Sequence, residues 1–192
     1  MKRRLLLALV VAATLLPAGA YAQTSKWTID PMHSGVNFEI VHMGVSHVRG
    51  AFSSVKGVVT LDDKDITKSS VDATIDTTTV STGVEMRDKE LKSSNFFDVE
   101  KCPSMTFKST SVTKAAGKLQ LIGDLTLNGV TKSVTLEFDG PASPRTTQGK
   151  TISGVSASGT IKRSDFNFGA SKFNAMLGNE VKFTIDVEID KQ

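Results

Sequence analysis

The sequence predicts an all-β protein, a sandwich or a barrel of about eight mostly sequential strands. Apolar and polar residues alternate without a break from Val181 to Ile189, and similar alternation recurs along the chain. Side chains of a strand alternate faces, so each such segment has one apolar face to bury. No strand–helix–strand rhythm is present, which argues against a parallel sheet. Several segments reach about ten residues, roughly 33 Å, so a barrel of such strands would be tall and suited to an elongated apolar guest.

The predicted strands follow from this alternation in chain order. They are Trp27–Asp30, Gly35–Met43, Val48–Asp62, Val71–Thr77, Ser104–Thr113, Lys118–Leu127, Val130–Asp139, Thr151–Arg163 and Val181–Ile189. Pro31 ends the first strand, because proline lacks the N–H that a sheet requires. Gly50 and Gly57 lie inside the long third segment, where glycine indicates a bulge or a bend.

Two further elements have their own local signals. Asn128-Gly129 joins two alternating runs and predicts a hairpin with a type I′ turn, which needs positive φ at both positions. The residues of Glu85–Lys92 favour helix, so we expect one short helical insertion near residues 85–97. Polar residues 141–150 and the segment Asp165–Leu177 are predicted to be loops.

Residues 1–22 have the pattern of a secretory signal peptide. Lys2, Arg3 and Arg4 precede an apolar stretch from Leu5 to Leu16, and Ala20-Tyr21-Ala22 fits a small-x-small cleavage site. The 12-residue apolar stretch is too short for a membrane-spanning helix. We therefore expect residues 23–192 to form one exported domain, periplasmic or secreted, without stable membrane insertion.

Composition excludes several classes of function. The chain has 23 Lys and Arg against 20 Asp and Glu, and three of the basic residues belong to the signal, so the exported part carries 20 of each. No basic stripe with interleaved aromatics is present, so no nucleic-acid partner is expected. Cys102 is the single cysteine, so no intramolecular disulfide forms. The sequence lacks the nucleophile-elbow, P-loop and dinucleotide motifs, and we predict neither an enzyme nor a cofactor.

The aromatic residues of the exported part are nearly all phenylalanine. All ten Phe lie there, whereas the single Tyr belongs to the signal. Phenylalanine has no polar group, so such a set suits an apolar core or an apolar pocket. Each candidate either lines a cavity or fills the core, and adjacent Phe96 and Phe97 in a turn are the best candidates for a gate or a wall of the pocket. The candidates are Phe38, Phe52, Phe96, Phe97, Phe107, Phe138, Phe166, Phe168 and Phe183.

Polar candidates for a ligand headgroup are few. His42 shares a strand face with apolar residues, and is either a hydrogen-bonded core histidine or a polar contact near the lumen mouth. Arg87 is either a solvated surface charge or a guanidinium facing an anionic headgroup. His33 follows Asp30, which could hold its ring. The spacing of His33, His42 and His47 places no two imidazoles on one strand face, so no metal site is predicted.

Four stretches of sequence carry a resemblance to a known family. They are Asp30-Pro31-x-His33-Ser34 with Phe38, His42 and Gly50-x-Phe52; Arg87-Asp88-x-x-Leu91 with Phe96-Phe97-Asp98 and Lys101-x-Pro103-x-x-x-Phe107; Gly123-Asp124-Leu125-Thr126-Leu127-x-Gly129-Val130-Thr131-Lys132; and Arg163-x-Asp165-Phe166 with Leu177-Gly178-x-Glu180-Val181. In order and spacing, over about residues 26–189, they resemble the YceI-like family of secreted lipid- and polyisoprenoid-binding proteins. The resemblance implies an eight-stranded antiparallel, lipocalin-like up-and-down barrel, with a long isoprenoid or similar amphiphile in its lumen and no catalytic activity.

The functional hypothesis combines the strand pattern with this resemblance. We predict non-catalytic binding of a polyisoprenoid, an isoprenoid quinone or a fatty-acid-like lipid, for carriage, storage or protection in the periplasm. The alternative is a barrel with a filled core that acts as a stress-linked structural or interaction protein. A third reading is a catalytic or metal-binding barrel that uses the histidines. A homodimer stays open, since the ends of such barrels often expose apolar rims.

Overall fold

The computed structural model describes residues 24–192, so the predicted signal peptide lies outside the described residues. These residues form eleven β-strands and one α-helix. The strands are β1 Thr24–Ile29, β2 Gly35–His42, β3 Ser46–Phe52, β4 Val55–Asp62, β5 Ser70–Asp76, β6 Ser104–Ala115, β7 Lys118–Leu127, β8 Val130–Asp139, β9 Arg145–Thr147, β10 Lys150–Lys162 and β11 Leu177–Lys191. The helix α1 covers Glu85–Lys92, as the sequence predicts.

The strands close into an eight-stranded antiparallel barrel, which confirms the predicted fold class. β1 and β2 both pair with β11, at Trp27↔Lys191 and Phe38↔Phe183, so they act as one strand broken at residues 30–34. β3 and β4 form a second broken strand beside them. β5, β6, β7, β8 and β10 follow in sequence, and the long pairing of β10 with β11 closes the ring. The short strand β9 pairs with the start of β10 inside the segment predicted as a loop.

Two glycine predictions have different outcomes. Asn128 and Gly129 have φ of 51° and 72°, so both adopt the positive φ of the predicted hairpin turn. The bend expected at Gly50 or Gly57 lies instead at residues 53–54, between β3 and β4. Gly57 serves another purpose, because a Cβ there would lie 2.3 Å from the Asp72 carbonyl oxygen on β5.

The two ends of the barrel differ in how they are closed. At the end that holds Thr24 and Lys191, Trp27 is buried and its indole Nε1 donates a hydrogen bond of 2.8 Å to Ser25 Oγ. At the opposite end the chain makes its two long excursions, residues 77–103 between β5 and β6 and residues 163–176 between β10 and β11. We call this second end the mouth. Within residues 24–192, no helix combines the length and apolarity needed to cross a membrane.

Candidate functional site

The barrel encloses a cavity of about 560 Å³, which we call the lumen. It extends from His42 and Met176 at the mouth to Ile66 and Pro141 at the opposite end. Inward-facing side chains of the eight barrel strands form its wall, and nearly all of them are apolar, because every strand turns its apolar face inward. The volume lies in the range of roughly 300–1,000 Å³ that is typical of small-molecule sites.

Ten of the eleven residues singled out from the sequence line this lumen. They are Phe38, His42, Phe52, Arg87, Phe96, Phe97, Phe107, Phe138, Phe168 and Phe183. Phe166 does not line it, because its ring is 1% exposed and packs into the main hydrophobic core cluster. Phe173 also lines the lumen. It lies in a segment predicted to be a loop, so no strand pattern singled it out in the sequence.

Two segments cover the mouth, and together we call them the cap: residues 84–103, which include α1, and residues 163–176. A backbone hydrogen bond of 2.9 Å from Ala170 N to Asn95 O joins them. Six phenylalanine rings form a continuous chain from the barrel wall through the cap. In order, the ring centroids are separated by 5.7 Å for Phe38–Phe52, 5.3 Å for Phe52–Phe97, 4.5 Å for Phe97–Phe168, 5.7 Å for Phe168–Phe96 and 4.9 Å for Phe96–Phe173. These distances suit tilted and edge-to-face contacts, which stabilise the cap over the lumen.

A buried arginine holds the second cap segment in place. Arg163, 5% exposed, directly follows β10, and its guanidinium donates to the carbonyl oxygens of Gly178 at 2.9 Å, Phe168 at 2.9 Å and Leu177 at 3.2 Å. Burial lowers the pKa of this guanidinium, and its partners are carbonyl and amide oxygens. An arginine stays charged in proteins, so these oxygens replace water around a buried cation. Sequence reasoning assigned no role to Arg163, although it opens the Arg-x-Asp-Phe motif.

The charged groups of the lumen and His42 lie at the mouth. Arg87 on α1 donates from Nε to Thr82 Oγ1 at 2.7 Å and from Nη2 to the Thr82 carbonyl at 3.2 Å. Burial alone raises the pKa of Asp88, but the hydrogen bonds that this carboxylate accepts from Thr82 outweigh burial and leave the pKa below its ordinary value. Asp88 thereby fixes Thr82, and Thr82 fixes Arg87. His42 and Glu90 also line the mouth, so a ligand would meet its polar contacts at this end.

The three histidines occupy three separate environments. His42 lines the lumen, whereas His47 Nδ1 lies 2.7 Å from Glu39 Oε1 in an exposed pair. His33 Nδ1 lies 2.6 Å from Asp30 Oδ2 and 3.7 Å from Glu188 Oε1, at the break between β1 and β2. Asp30, His33 and Glu188 are the one group of possible metal ligands within residues 24–192, and the His33 side chain is 64% exposed. The structure therefore does not bring together the three histidines considered for a shared metal.

The rim of the mouth exposes large apolar side chains. Val45 and Met86 are 85% and 84% exposed, and Met43, Val84 and Met176 accompany them. Met43 and Met176 come from different segments, joined by a backbone hydrogen bond of 2.7 Å. The apolar surface of the lumen thus continues outward onto the rim.

Comparison with known proteins gives results consistent with this geometry. A model of the YceI-like domain matches residues 27–189. Protein YceI of Escherichia coli O157:H7 is 40% identical over 187 residues, which cover 97% of each chain. The crystal structure of Burkholderia cenocepacia BcnA superposes with a TM-score of 0.71 at 24% identity and covers 83% of this chain and 98% of BcnA. A polyisoprenoid-binding domain from Saccharophagus degradans, implicated in plant cell wall breakdown, superposes with a TM-score of 0.60 at 14% identity over 86% of this chain and 98% of that domain.

Proposed function

The chain belongs to the YceI-like family, and on that premise we propose that its lumen binds one long amphiphilic lipid without chemical conversion. The ligand is a polyisoprenoid, an isoprenoid quinone or a fatty-acid-like molecule. The protein carries, stores or shields it after export to the periplasm. The export step rests on residues 1–22, and the ligand class rests on the lumen and on the polyisoprenoid binding described for the Saccharophagus degradans domain.

The observation that carries the proposal is the continuous apolar wall of the lumen. Burial of apolar surface yields about 25 cal/mol per Å², so a chain that buries about 400 Å² gains about 10 kcal/mol. The lost freedom of the ligand offsets part of this gain. Enough remains for stable binding with few polar contacts, which agrees with a wall that offers few outside the mouth.

The polar groups at the mouth give the ligand a direction. An apolar chain that enters the lumen leaves its headgroup beside Arg87, Glu90 and His42. Arg87 is held from one side by Thr82, so its remaining N–H donors can reach an oxygen of the headgroup. The mouth also carries the negative charge of Glu90, so a headgroup with a single acceptor fits this set better than a dianion.

The filled-core alternative is less consistent with this geometry. A filled barrel has side chains across its centre, whereas this barrel keeps a lumen of about 560 Å³. The third reading, a barrel that holds a metal through its histidines, needs His33, His42 and His47 in one place. They lie on different faces, and His33 and His47 are paired with carboxylates.

The decisive experiment starts from protein exported in its native host and purified without detergent. Native mass spectrometry should show a complex heavier than the protein by one ligand, and organic extraction should release a prenyl or fatty species. A clean apo mass, with no uptake of quinones or prenyl phosphates on incubation, would refute the proposal.

Two variants link binding to the lumen. Phe107→Asp places a charge on the lumen wall, and Phe97→Asp places one in the cap, so both should lose the ligand while export continues. Thr106→Asp is the matched control, because Thr106 precedes Phe107 on β6 and is exposed on the outer face. Ligand retention that is equal in Phe107→Asp and Thr106→Asp would count against a lumen lined by aromatic rings.

A further inference from the structure

Three of the lining rings lie over a glycine of the neighbouring strand. Phe107 lies over Gly123, and the other two rings belong to direct cross-strand partners of their glycines. Phe183 on β11 is paired with Gly159 on β10, and Phe38 on β2 is paired with Gly50 on β3. A Cβ added at Gly159 would lie 2.6 Å from Phe183 Cζ, and one at Gly50 would lie 2.4 Å from Phe38 Cζ. Non-bonded carbons approach to about 3.5–4.0 Å, so each ring occupies the space that a side chain would fill. Both rings therefore lie along the wall and do not project towards the barrel axis.

The two pairs form a single row across four strands. Phe38 and Phe183 are themselves cross-strand partners, so the row reads Gly50, Phe38, Phe183, Gly159 across β3, β2, β11 and β10. We call this set the glycine row. The two rings of the row turn away from each other, each over its flanking glycine, which leaves the space in front of the row open.

The strand that contains Gly159 keeps the same side of the lumen wide. β10 turns Val155 and Ala157 inward, Gly159 shares their face as the partner of Phe183, and Ala157 is paired with Phe138 of β8. A small residue therefore stands beside a large one on this side of the wall. Gly154 on the same strand has the opposite orientation, and a Cβ there would meet just the Val187 carbonyl oxygen, at an ordinary 3.6 Å.

We propose that the glycine row sets the width of the lumen and so decides that a methyl-branched, isoprenoid-like chain fits as well as a straight one. This inference rests on the proposed function and specifies its ligand class. A methyl side chain at position 159 would displace the Phe183 ring from β10. Leu136 Cδ2, 3.1 Å from the added Cβ, blocks a shift towards β8, so the ring moves into the lumen. Branched chains lose their space first, because each branch adds a carbon to the width of the chain.

The test compares two fatty acids that differ in their methyl branches alone. Phytanic acid and palmitic acid share a carboxylate and a main chain of equal length, but phytanic acid carries methyl branches. The full chain, exported and then stripped of lipid, is titrated with each acid by displacement of a fluorescent fatty-acid probe. We expect Gly159→Ala to weaken phytanic acid about tenfold relative to palmitic acid, the size of effect that one methyl group has in an apolar pocket. Gly154→Ala should leave the ratio unchanged.

Two further results make the outcome unambiguous. In the double variant Gly159→Ala/Phe183→Leu the ring is gone, so phytanic acid binding should return, whereas continued loss would overturn a role for the ring. If the wild type binds neither acid, a fatty-acid-like ligand is excluded, and the crystal structure of lipid-free Gly159→Ala then decides the inference by itself. A Phe183 ring displaced into the lumen supports it, and a ring that stays over β10 overturns it. An equal affinity ratio in wild type and Gly159→Ala would also overturn it.

Discussion

Replacement of Arg163 by Met should destabilise the barrel by about 3–4 kcal/mol. The guanidinium makes three hydrogen bonds of 3.2 Å or shorter to carbonyl oxygens, and each bond to a charged group contributes about 1.5–3 kcal/mol. The full sum is not expected, because Phe168, Leu177 and Gly178 are half-buried and their carbonyls regain some water in the variant. Loss of the desolvated cation also returns part of the free energy.

The assay is urea denaturation followed by fluorescence of Trp27, with thermal unfolding as a second measurement. A loss of this size in a domain of 150–250 residues corresponds to a fall in Tm of about 6–16 °C, at about 2–4 °C per kcal/mol. Hydrogen exchange should locate the effect in the cap, because the amides of Phe168 and Ala170 bond to Arg163 O and Asn95 O.

Two variants separate the explanations. Arg163→Lys keeps the charge, but its compact ammonium cannot reach three diverging carbonyls, so it should not restore stability. Arg49→Met is the control for loss of an arginine at the surface, since the Arg49 side chain is 71% exposed and its pair with Glu39 is worth at most about 1 kcal/mol. Equal losses in Arg163→Met and Arg49→Met would refute the reasoning.

Three further predictions follow from local contacts. Thr77 is 1% exposed and its hydroxyl donates to the Cys102 carbonyl at 2.8 Å, so Thr77→Val should cost about 1–3 kcal/mol in urea denaturation, whereas Thr74→Val on the outer face should cost almost nothing. Gly129 has φ of 72°, so Gly129→Ala should destabilise the protein by about 1 kcal/mol. Gly154 lies inside a strand with room for a methyl group, so Gly154→Ala should stabilise the protein by about 0.5 kcal/mol. A loss of stability in both variants would contradict this reasoning. The hydrogen bond that protonated His33 donates to Asp30 raises the pKa of His33, and the same bond lowers the pKa of Asp30. The contribution of His33 to the free energy of unfolding is therefore complete below its unfolded pKa of about 6.5, and it is lost as pH rises through the pKa of the folded state. The contribution of Asp30 is present above its unfolded pKa of about 3.9, and it is lost as pH falls through the pKa of the folded state. The Tm difference between wild type and His33→Gln should thus be largest near pH 5, and a difference as large at pH 9 would contradict the assignment.

Local sequence signals predicted most of the secondary structure. The hairpin of β7 and β8 has the predicted bounds, and α1 covers the predicted Glu85–Lys92, because turn chemistry and helix propensity act within a few residues. The bend between β3 and β4 was misplaced, because Ser53 and Ser54 carry no strong signal while Gly50 and Gly57 do. At those glycines, Phe38 and the Asp72 carbonyl on neighbouring strands leave no room for a side chain. No local sequence pattern reveals such contacts.

The sequence predicted which kinds of residue form the candidate site better than it predicted where each of them lies. The alternating pattern identified inward faces, so Phe38 and Phe183 were correctly placed towards the interior. Phe166 was grouped with them on residue type, yet this cap residue packs into the hydrophobic core. The sequence could not separate the two cases, because burial in a core and exposure to a lumen select the same apolar side chains.

The sequence by itself determined the β class, the faces of the strands, the hairpin turn and the family, because these depend on period-2 alternation, on backbone preferences and on ordered motifs. The tertiary structure decided what stands opposite each inward-facing side chain. Closure of β10 on β11 sets Gly159 under Phe183, and the return of residues 163–178 sets three carbonyls around Arg163. Whether a barrel of this composition is filled or open depends on such pairings between residues far apart in the chain. The free width of the lumen is what remains of the barrel interior after the inward-facing side chains are packed, and the packing alone fixes it.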